Sequence, residues 1–270
     1  MSDPGTSPIM YVAFDLETTG LFAHADRIVE IGAVRFDEEG REHGRFESLV
    51  NPGRPMPPGA QAVHGLGDAD LAESPTAREV LPRFLAWLGE PSRDRLIAHN
   101  AVFDAGFLGH ELVQAGYELP AIEILDSLAL ARARVPEAPD YRLGTLAAWF
   151  GLEAEGSHRA LSDSLVVKGL WLALTGLPGP PVPQVSYRVF DPVAADPAPV
   201  GWEALAEAMA RGLRVRMEYL GGTRGDRPRE ITPRRFAHRG GLPYVVAYCH
   251  ADDYEKAFRL DRVRAYEILA

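Results

Sequence analysis

The stretch Tyr11-Val12-Ala13-Phe14-Asp15-Leu16-Glu17-Thr18-Thr19-Gly20 decides the reading of this 270-residue chain. Residues 10–14 form an apolar run of buried-strand length, and two carboxylates follow, two residues apart. Residues i and i+2 of a strand point to one face, so Asp15 and Glu17 aim at one point in space. Adjacent carboxylates repel, and burying them unpaired is expensive, so a positive group is expected between them. A divalent cation with oxygen ligands meets that demand. A strand end with two solvated acids fits the same letters, so the rest of the chain has to choose.

Residues 27–36 alternate well enough for a second strand, with Ile28, Ile31 and Val34 apolar, and Asp37-Glu38-Glu39-Gly40 supplies a turn. Residues 46–50 give a third strand ending at Asn51-Pro52-Gly53, which makes an antiparallel meander. A Pro-rich loop at 54–58 leads to Ala62-Val63-His64-Gly65-Leu66. Ser74-Pro75-Thr76 opens a helix reaching Trp87, with Leu81, Phe84, Leu85 and Leu88 on one face. Short strands at 95–100 and 122–126 each lead into a helix, at 102–115 and 127–134. A short helix at 142–150 and a long amphipathic one within 158–175 follow. The order βββαβαβαα predicts a mixed sheet flanked by helices, an α/β domain over residues 1–176.

Seven prolines fall within residues 176–199. That density disfavours helix and sheet ladders, so residues 177–200 read as an extended inter-domain linker, of which 185–190 could pack on either side. Residues 201–270 read as a helix at 202–210 and strands at 213–220, 229–237, 242–249 and 257–263. Glycine pairs at Gly221-Gly222 and Gly240-Gly241 supply turns, so a small β-barrel is expected.

Composition narrows the class. Hydrophobic residues make up 46% and charged residues 24%, ordinary values for a soluble globular protein. No apolar run approaches the roughly 18 residues a membrane helix needs. Residues 1–8 show no basic region before an apolar stretch, so no secretory leader is expected. The single cysteine, Cys249, cannot form an internal disulfide and suits a reducing cytoplasm. The net charge of −10 is uneven: residues 201–270 hold 13 Arg/Lys against 10 Asp/Glu, whereas residues 1–200 hold 15 against 28. Acids used as metal ligands are compatible with a polyanionic substrate. Only Lys168 and Lys256 are lysines, and arginine favours bidentate phosphate contacts.

Two further acids stand at helix starts. Asp104 ends His99-Asn100-Ala101-Val102-Phe103-Asp104, and Asp163 ends His158-Arg159-Ala160-Leu161-Ser162-Asp163. Singly, each acid could merely complement a helix dipole, and His158 could merely cap a helix. Four acids and a histidine at strand end and helix starts of one α/β domain make coincidence a poor account.

These three motifs, in this order, resemble the DEDDh 3′→5′ exonucleases, typified by the proofreading epsilon subunit of bacterial replicative polymerases. The resemblance covers about residues 10–175. It implies a ribonuclease H-like fold in which Asp15, Glu17, Asp104 and Asp163 bind two Mg²⁺ or Mn²⁺ ions. His158 then corresponds to the general base; the related tyrosine subfamily has Tyr four residues before the last Asp, where this chain has Arg159. The resemblance also implies that Leu16, Thr18 and Thr19 contact the terminal nucleotide, with Phe103 beside it and Asn100 and His64 close by. Phe103 as plain core and His64 as a loop residue are the bland alternatives.

The C-terminal segment resembles a WYL domain, a small Sm/SH3-like barrel. Arg216-Met217-Glu218-Tyr219, Ile231-Thr232-Pro233-Arg234, the run from Leu242 to Cys249 and Phe258-Arg259-Leu260-Asp261-Arg262-Val263 carry it, with the signature triplet degraded to Pro243-Tyr244-Val245. Such domains bind nucleic-acid or nucleotide ligands, which nominates Tyr219, Arg234, Tyr244, Arg259 and Arg262 here. Arginines with aromatic neighbours suit a phosphate and a stacked base, although a solvated basic face fits too. The expectation is therefore a nuclease acting on nucleic acid, single-stranded DNA ahead of RNA, with repair or replication partners and an undetermined oligomeric state. An exoribonuclease is the alternative within the class. An inactive ligand-sensing regulator is the alternative outside it.

Overall fold

The computed structural model describes residues 9–89, 94–152, 158–192, 196–221, 225 and 227–269. The leader reading of residues 1–8 and the Gly222 half of the expected Gly-Gly turn lie outside them. The chain divides into two compact units: residues up to Thr19 with Arg27–Pro192, and Gly20–Asp26 with Val193–Ala270.

The first unit is a six-stranded mixed sheet. Its strands are β1 (Met10–Thr18), β2 (Ile28–Asp37), β3 (Glu42–Leu49), β4 (Asp94–Ala98), β5 (Glu123–Asp126) and β6 (Ser186–Arg188), in spatial order β3-β2-β1-β4-β5-β6. β1, β2 and β3 form the expected antiparallel meander, while β4 and β5 run parallel to β1. Parallel strands need crossovers, and helix α4 (Ala101–Gln114) supplies the one between β4 and β5.

Alternation along β1 sorts its side chains. Tyr11 and Ala13 join Val34 and Phe36 of β2 beneath α7 (Ala160–Gly176), whose Trp171 lies 6.1 Å from the Tyr11 ring. Helices α5 (Ser127–Arg134) and α6 (Leu143–Trp149) complete that layer. Phe14 points the other way, toward Phe84 of α3 (Ala77–Leu88) at 6.0 Å. Asp15 and Glu17 continue the α7 side of β1, so that face changes from apolar to acidic toward the strand's C-terminal end.

Three elements differ from expectation. Residues 54–66 are more than a loop: α1 (Pro58–His64) starts on a proline at N1 and stops at Gly65 with φ 78°. A one-turn α2 (Asp68–Leu71) follows. The Pro-rich stretch is more than a spacer, because Ser186–Arg188 pairs antiparallel with β5. Those three residues fall between Pro183 and Pro192, so their N–H groups are intact and an edge position suits them.

In the second unit, α8 (Glu203–Ala210) precedes β7 (Val215–Tyr219), β8 (Arg229–Arg239), β9 (Leu242–Cys249), β10 (Tyr254–Arg259) and β11 (Val263–Ile268). All pair antiparallel in the order β10-β9-β8-β7-β11. The expected final strand at 257–263 is thus two strands, separated by a 3-10 turn at Leu260–Arg262. Among the described residues no ladder joins β10 to β11, so the sheet is not a hydrogen-bonded closed barrel. Leu205, Val215, Met217, Ile231, Val245 and Phe258 fill its core. Residues Gly20–Asp26, between β1 and β2 in the chain, belong to this unit: Phe22 meets Tyr244 at 4.5 Å, and Arg235 donates to the His24 carbonyl at 2.6 Å.

Candidate active site

The three motifs converge. Ligand oxygens of Asp15, Glu17 and Asp163 lie within 4.8 Å of one another. Asp104, buried in the first turn of α4, acts on Asp15 electrostatically from its own side. Asp163 sits in the first turn of α7 and accepts the backbone N–H of His158 at 3.2 Å. His158 itself is exposed, with φ 68°. Asn100, which precedes α4, has φ 70°. Left-handed backbone at a non-glycine residue is uncommon and costly, and here it occurs at the entrances of the two helices that carry acids.

The charge state of the site follows from crowding. Burial, then the fields of Asp104, Glu17 and Asp163, hold the Asp15 carboxyl well above the usual range. Burial, with Asp163 and Glu30 nearby, pushes Glu17 up to about 7. Burial also raises Asp104 and Asp163. Carboxylates raised together are a cluster short of positive charge. An all-oxygen donor set at this spacing fits a hard divalent cation, whereas thiophilic metals would find no soft ligand.

Beside the acids opens a cleft of about 530 Å³, lined among others by Asp15, His99, Arg142, Thr145, His158 and Asp163. His99 donates from Nε2 to the Tyr141 carbonyl at 2.8 Å and meets Ser127 Oγ with Nδ1 at 3.0 Å. Burial lowers its pKa, which suits a neutral ring holding the cleft wall.

The residues expected at the nucleotide scatter around this centre. Leu16 is buried on the opposite face of β1 from the two acids. Thr19 is buried and closes the β1–β2 connection: its Oγ1 accepts the Arg27 N–H at 2.9 Å, and its own N–H donates to the Arg27 carbonyl. Thr18 and His64 are buried. His64 Nδ1 accepts the Leu66 N–H at 3.1 Å, and burial lowers its pKa while Thr18, Glu30, Arg159 and His158 act on it. Phe103 is half-buried against Phe107 at 4.6 Å, and Asn100 is exposed.

In the second unit, Tyr219 is a core residue whose hydroxyl accepts the Arg259 N–H at 3.2 Å. Tyr244 is the register partner of Arg259, so these three lie together. The Arg259 guanidinium is engaged by Asp261 at 2.6 Å, and Arg234 lies 4.0 Å from Glu255. Arg262 is exposed on the short turn before β11.

Two acids that bear on the site are absent from the sequence reading. Asp126 at the end of β5 accepts N–H groups from Asn100 at 3.0 Å, Ala101 at 3.4 Å and Leu128 at 3.0 Å, fixing the starts of α4 and α5 together. Glu30 is fully buried on β2, directly across from Glu17. An acid inside the apolar run Ile28-Val29-Glu30-Ile31 was the available signal for it.

The sequence pattern of the family described as "Exonuclease" matches residues 12–170, which contain all five motif residues. The chain belongs to this exonuclease family. The WYL domain pattern matches residues 202–268 of the same exonuclease. DNA polymerase III subunit epsilon of Treponema pallidum is 37% identical over 168 residues, covering 62% of this chain and 76% of that protein. DNA polymerase III PolC-type of Bacillus cereus is 38% identical over 154 residues, 57% of this chain but only 10% of that polymerase. Among solved structures, the nuclease domain of 3′hExo, a DEDDh family member bound to rAMP, superposes with a TM-score of 0.55 at 14% identity, covering 63% of this chain and 93% of that one. Exonuclease I of E. coli with a dT13 oligonucleotide gives 0.56 at 15% identity, covering 89% and 55%. At such identities these two likenesses establish the fold of the exonuclease. No helix among its described residues is long and apolar enough to cross a membrane.

Proposed function

We propose that this exonuclease removes nucleoside 5′-monophosphates from the 3′ end of DNA, with single strands preferred. The observation that carries the reading is the convergence of Asp15, Glu17 and Asp163 oxygens within 4.8 Å, beside an exposed His158 at an open cleft. Asp15, Glu17, Asp104 and Asp163 would hold two Mg²⁺ or Mn²⁺ ions. Bound there, the ions would supply an acidified water and positive charge for the phosphate oxygens. His158 would take the proton of the attacking water as the general base. Thr18, Thr19, His64, Asn100 and Phe103 would frame the terminal nucleotide, Leu16 would reach it only through its backbone, and Arg142 offers the cleft a cation for a phosphate.

The C-terminal unit, a five-stranded antiparallel sheet, acts on this proposal as an accessory module that holds nucleic acid or a nucleotide-like ligand. Tyr244, Arg234, Arg259 and Arg262 are its candidate contacts. Tyr219 acts through the backbone of Arg259, because its ring is in the core. The buried thiol of Cys249 agrees with a cytoplasmic setting, and the epsilon likeness favours replication or repair partners.

RNA is the second reading, favoured by the likeness to a nuclease domain bound to rAMP. One experiment separates these readings: a gel time course on 5′-labelled single-stranded DNA, duplex DNA and RNA, with Mg²⁺, Mn²⁺ or EDTA. A ladder shortening from the 3′ end on single-stranded DNA, abolished by EDTA, is expected. Faster digestion of RNA would reassign the substrate, and no shortening on any strand would overturn the activity.

A further inference from the structure

Glu30 is a carboxylate at the heart of an acidic cluster that is not committed to metal. Its side chain is fully buried and, as the register partner of Glu17, lies on the same face of the sheet. Yet its two oxygens already accept three N–H groups, one of them shared between both oxygens. Oε1 takes Arg159 Nη2 at 2.6 Å and Nε at 3.0 Å, while Oε2 takes Arg159 Nε at 3.1 Å and the Ala160 N–H at 3.0 Å. A carboxylate that accepts a bidentate guanidinium and a helix N-terminal amide has its charge matched by the arginine and most of its acceptor sites engaged, so it is bound to the helix entrance rather than offered to a cation.

What those bonds hold is the entrance to α7. Arg159 lies between His158 and Ala160, and its carbonyl accepts the N–H of Asp163 at 2.9 Å. Two residues along β2, on the same face, Gly32 makes the approach possible: a Cβ there would fall 2.1 Å from the Leu161 nitrogen and 2.2 Å from the Ala160 carbonyl carbon. Gly32 is in turn the register partner of Asp15. The two β2 residues opposite the β1 acids therefore both serve the α7 start, one by clearing space and one by binding it.

We propose that Glu30 is a positioning residue for the reaction, acting through Arg159 and the Ala160 amide to hold His158 and Asp163 against Asp15 and Glu17. The proposal rests on the exonuclease reading above, so its test includes a measurement independent of turnover. Three proteins are compared: the wild type, Glu30→Gln, and Glu42→Gln as control. Glu42 of β3 also ties α7 to the sheet, through Lys168 at 2.9 Å, but far along the helix from the motif.

In Glu30→Gln, hydrogen exchange at the Ala160 and Asp163 amides should accelerate at least about 10-fold. On a 3′-recessed or single-stranded oligonucleotide kcat should fall about 10–100-fold at nearly unchanged KM, the usual cost of losing a partner one shell out. Mn²⁺ stoichiometry by calorimetry should be unchanged. Glu42→Gln should match wild type in all three. Loss of one Mn²⁺ equivalent in Glu30→Gln would make Glu30 a ligand and overturn the proposal. Unaltered amide exchange or unaltered kcat would overturn it as well. A wild type inert on every strand would sink the exonuclease reading alone, with amide exchange still deciding whether Glu30 holds the α7 entrance.

Discussion

Asp15 and Glu17 are held together against their own repulsion, and the sign of that strain can be measured. Glu17 titrates at about 7 in the folded chain against an ordinary 4.5, with burial the larger cause. Between those values the metal-free folded protein holds a proton that the unfolded chain has released, so its stability falls as pH rises from 4.5 to 7. Below the window both states are protonated, and above it both are ionised. Melting in EDTA should therefore drop across this range, and Mn²⁺ should raise the melting temperature more at pH 8 than at pH 5. A metal-free melting curve indifferent to pH would contradict the crowding. The same strain makes Asp15→Asn informative: it should abolish digestion while stabilising the metal-free protein at pH 8 by roughly 1–2 kcal/mol, as relief of active-site strain commonly does. For His158, the exposed base candidate, replacement by Ala should cost about 10²–10⁴ in kcat with Mn²⁺ binding retained. A full-rate His158→Ala enzyme would send the search for the base elsewhere in the cleft.

At the scale of elements, the site is an arrangement of helix starts at strand ends, and this is where sequence reading succeeds and stops. Strand alternation puts Asp15 and Glu17 on one face, and turn and cap residues put Asp104 and Asp163 at helix starts; both are local properties. The supports are not local. Glu111 of α4 is fully buried 84 residues from the Arg27 it binds at 2.7 Å, and it also accepts the Ile28 N–H at 3.0 Å. Asp126 reaches back to Asn100, and Glu30 reaches forward to Arg159, each across a packing that periodicity does not encode. The α1 helix is masked by its prolines, one of which sits in the first turn, where the N–H has no intrahelical partner. Because Glu111 is buried and Arg27 keeps 29% exposure, Glu111→Ala should cost roughly 2–3 kcal/mol, short of the about 3–5 of a fully buried pair. Urea unfolding followed by tryptophan fluorescence measures this, and a loss below about 0.5 kcal/mol would mean that water replaces the pair.

At the scale of the whole molecule, the Pro-rich stretch is the place to cut, and the position of the cut matters. Leu177 and Pro180 carbonyls accept Arg134 of α5, the latter at 3.1 Å, and Ser186–Arg188 adds the sixth strand. Farther on, Asp191 accepts from His110 of α4 at 2.8 Å, and the Phe190 backbone packs where Gly109 has no Cβ: one built there would meet its carbonyl oxygen at 2.1 Å. A chain ending at residue 176 leaves β5 as an exposed edge and strips all of these contacts, whereas a chain ending at 192 keeps them. The longer truncation should melt at least several degrees above the shorter one and stay soluble at concentrations where the shorter aggregates. Equal melting would show that these residues contribute as little as a bare spacer. The longer truncation also isolates the accessory module's role. If the module holds nucleic acid, removing it should raise KM for long strands while leaving cleavage of short oligonucleotides nearly intact. Since Phe22 packs on Tyr244 within the second unit, Phe22→Ala in the full chain is the companion measurement. A defect on short substrates shared by both proteins would trace to the Gly20–Asp26 segment rather than to lost strand binding.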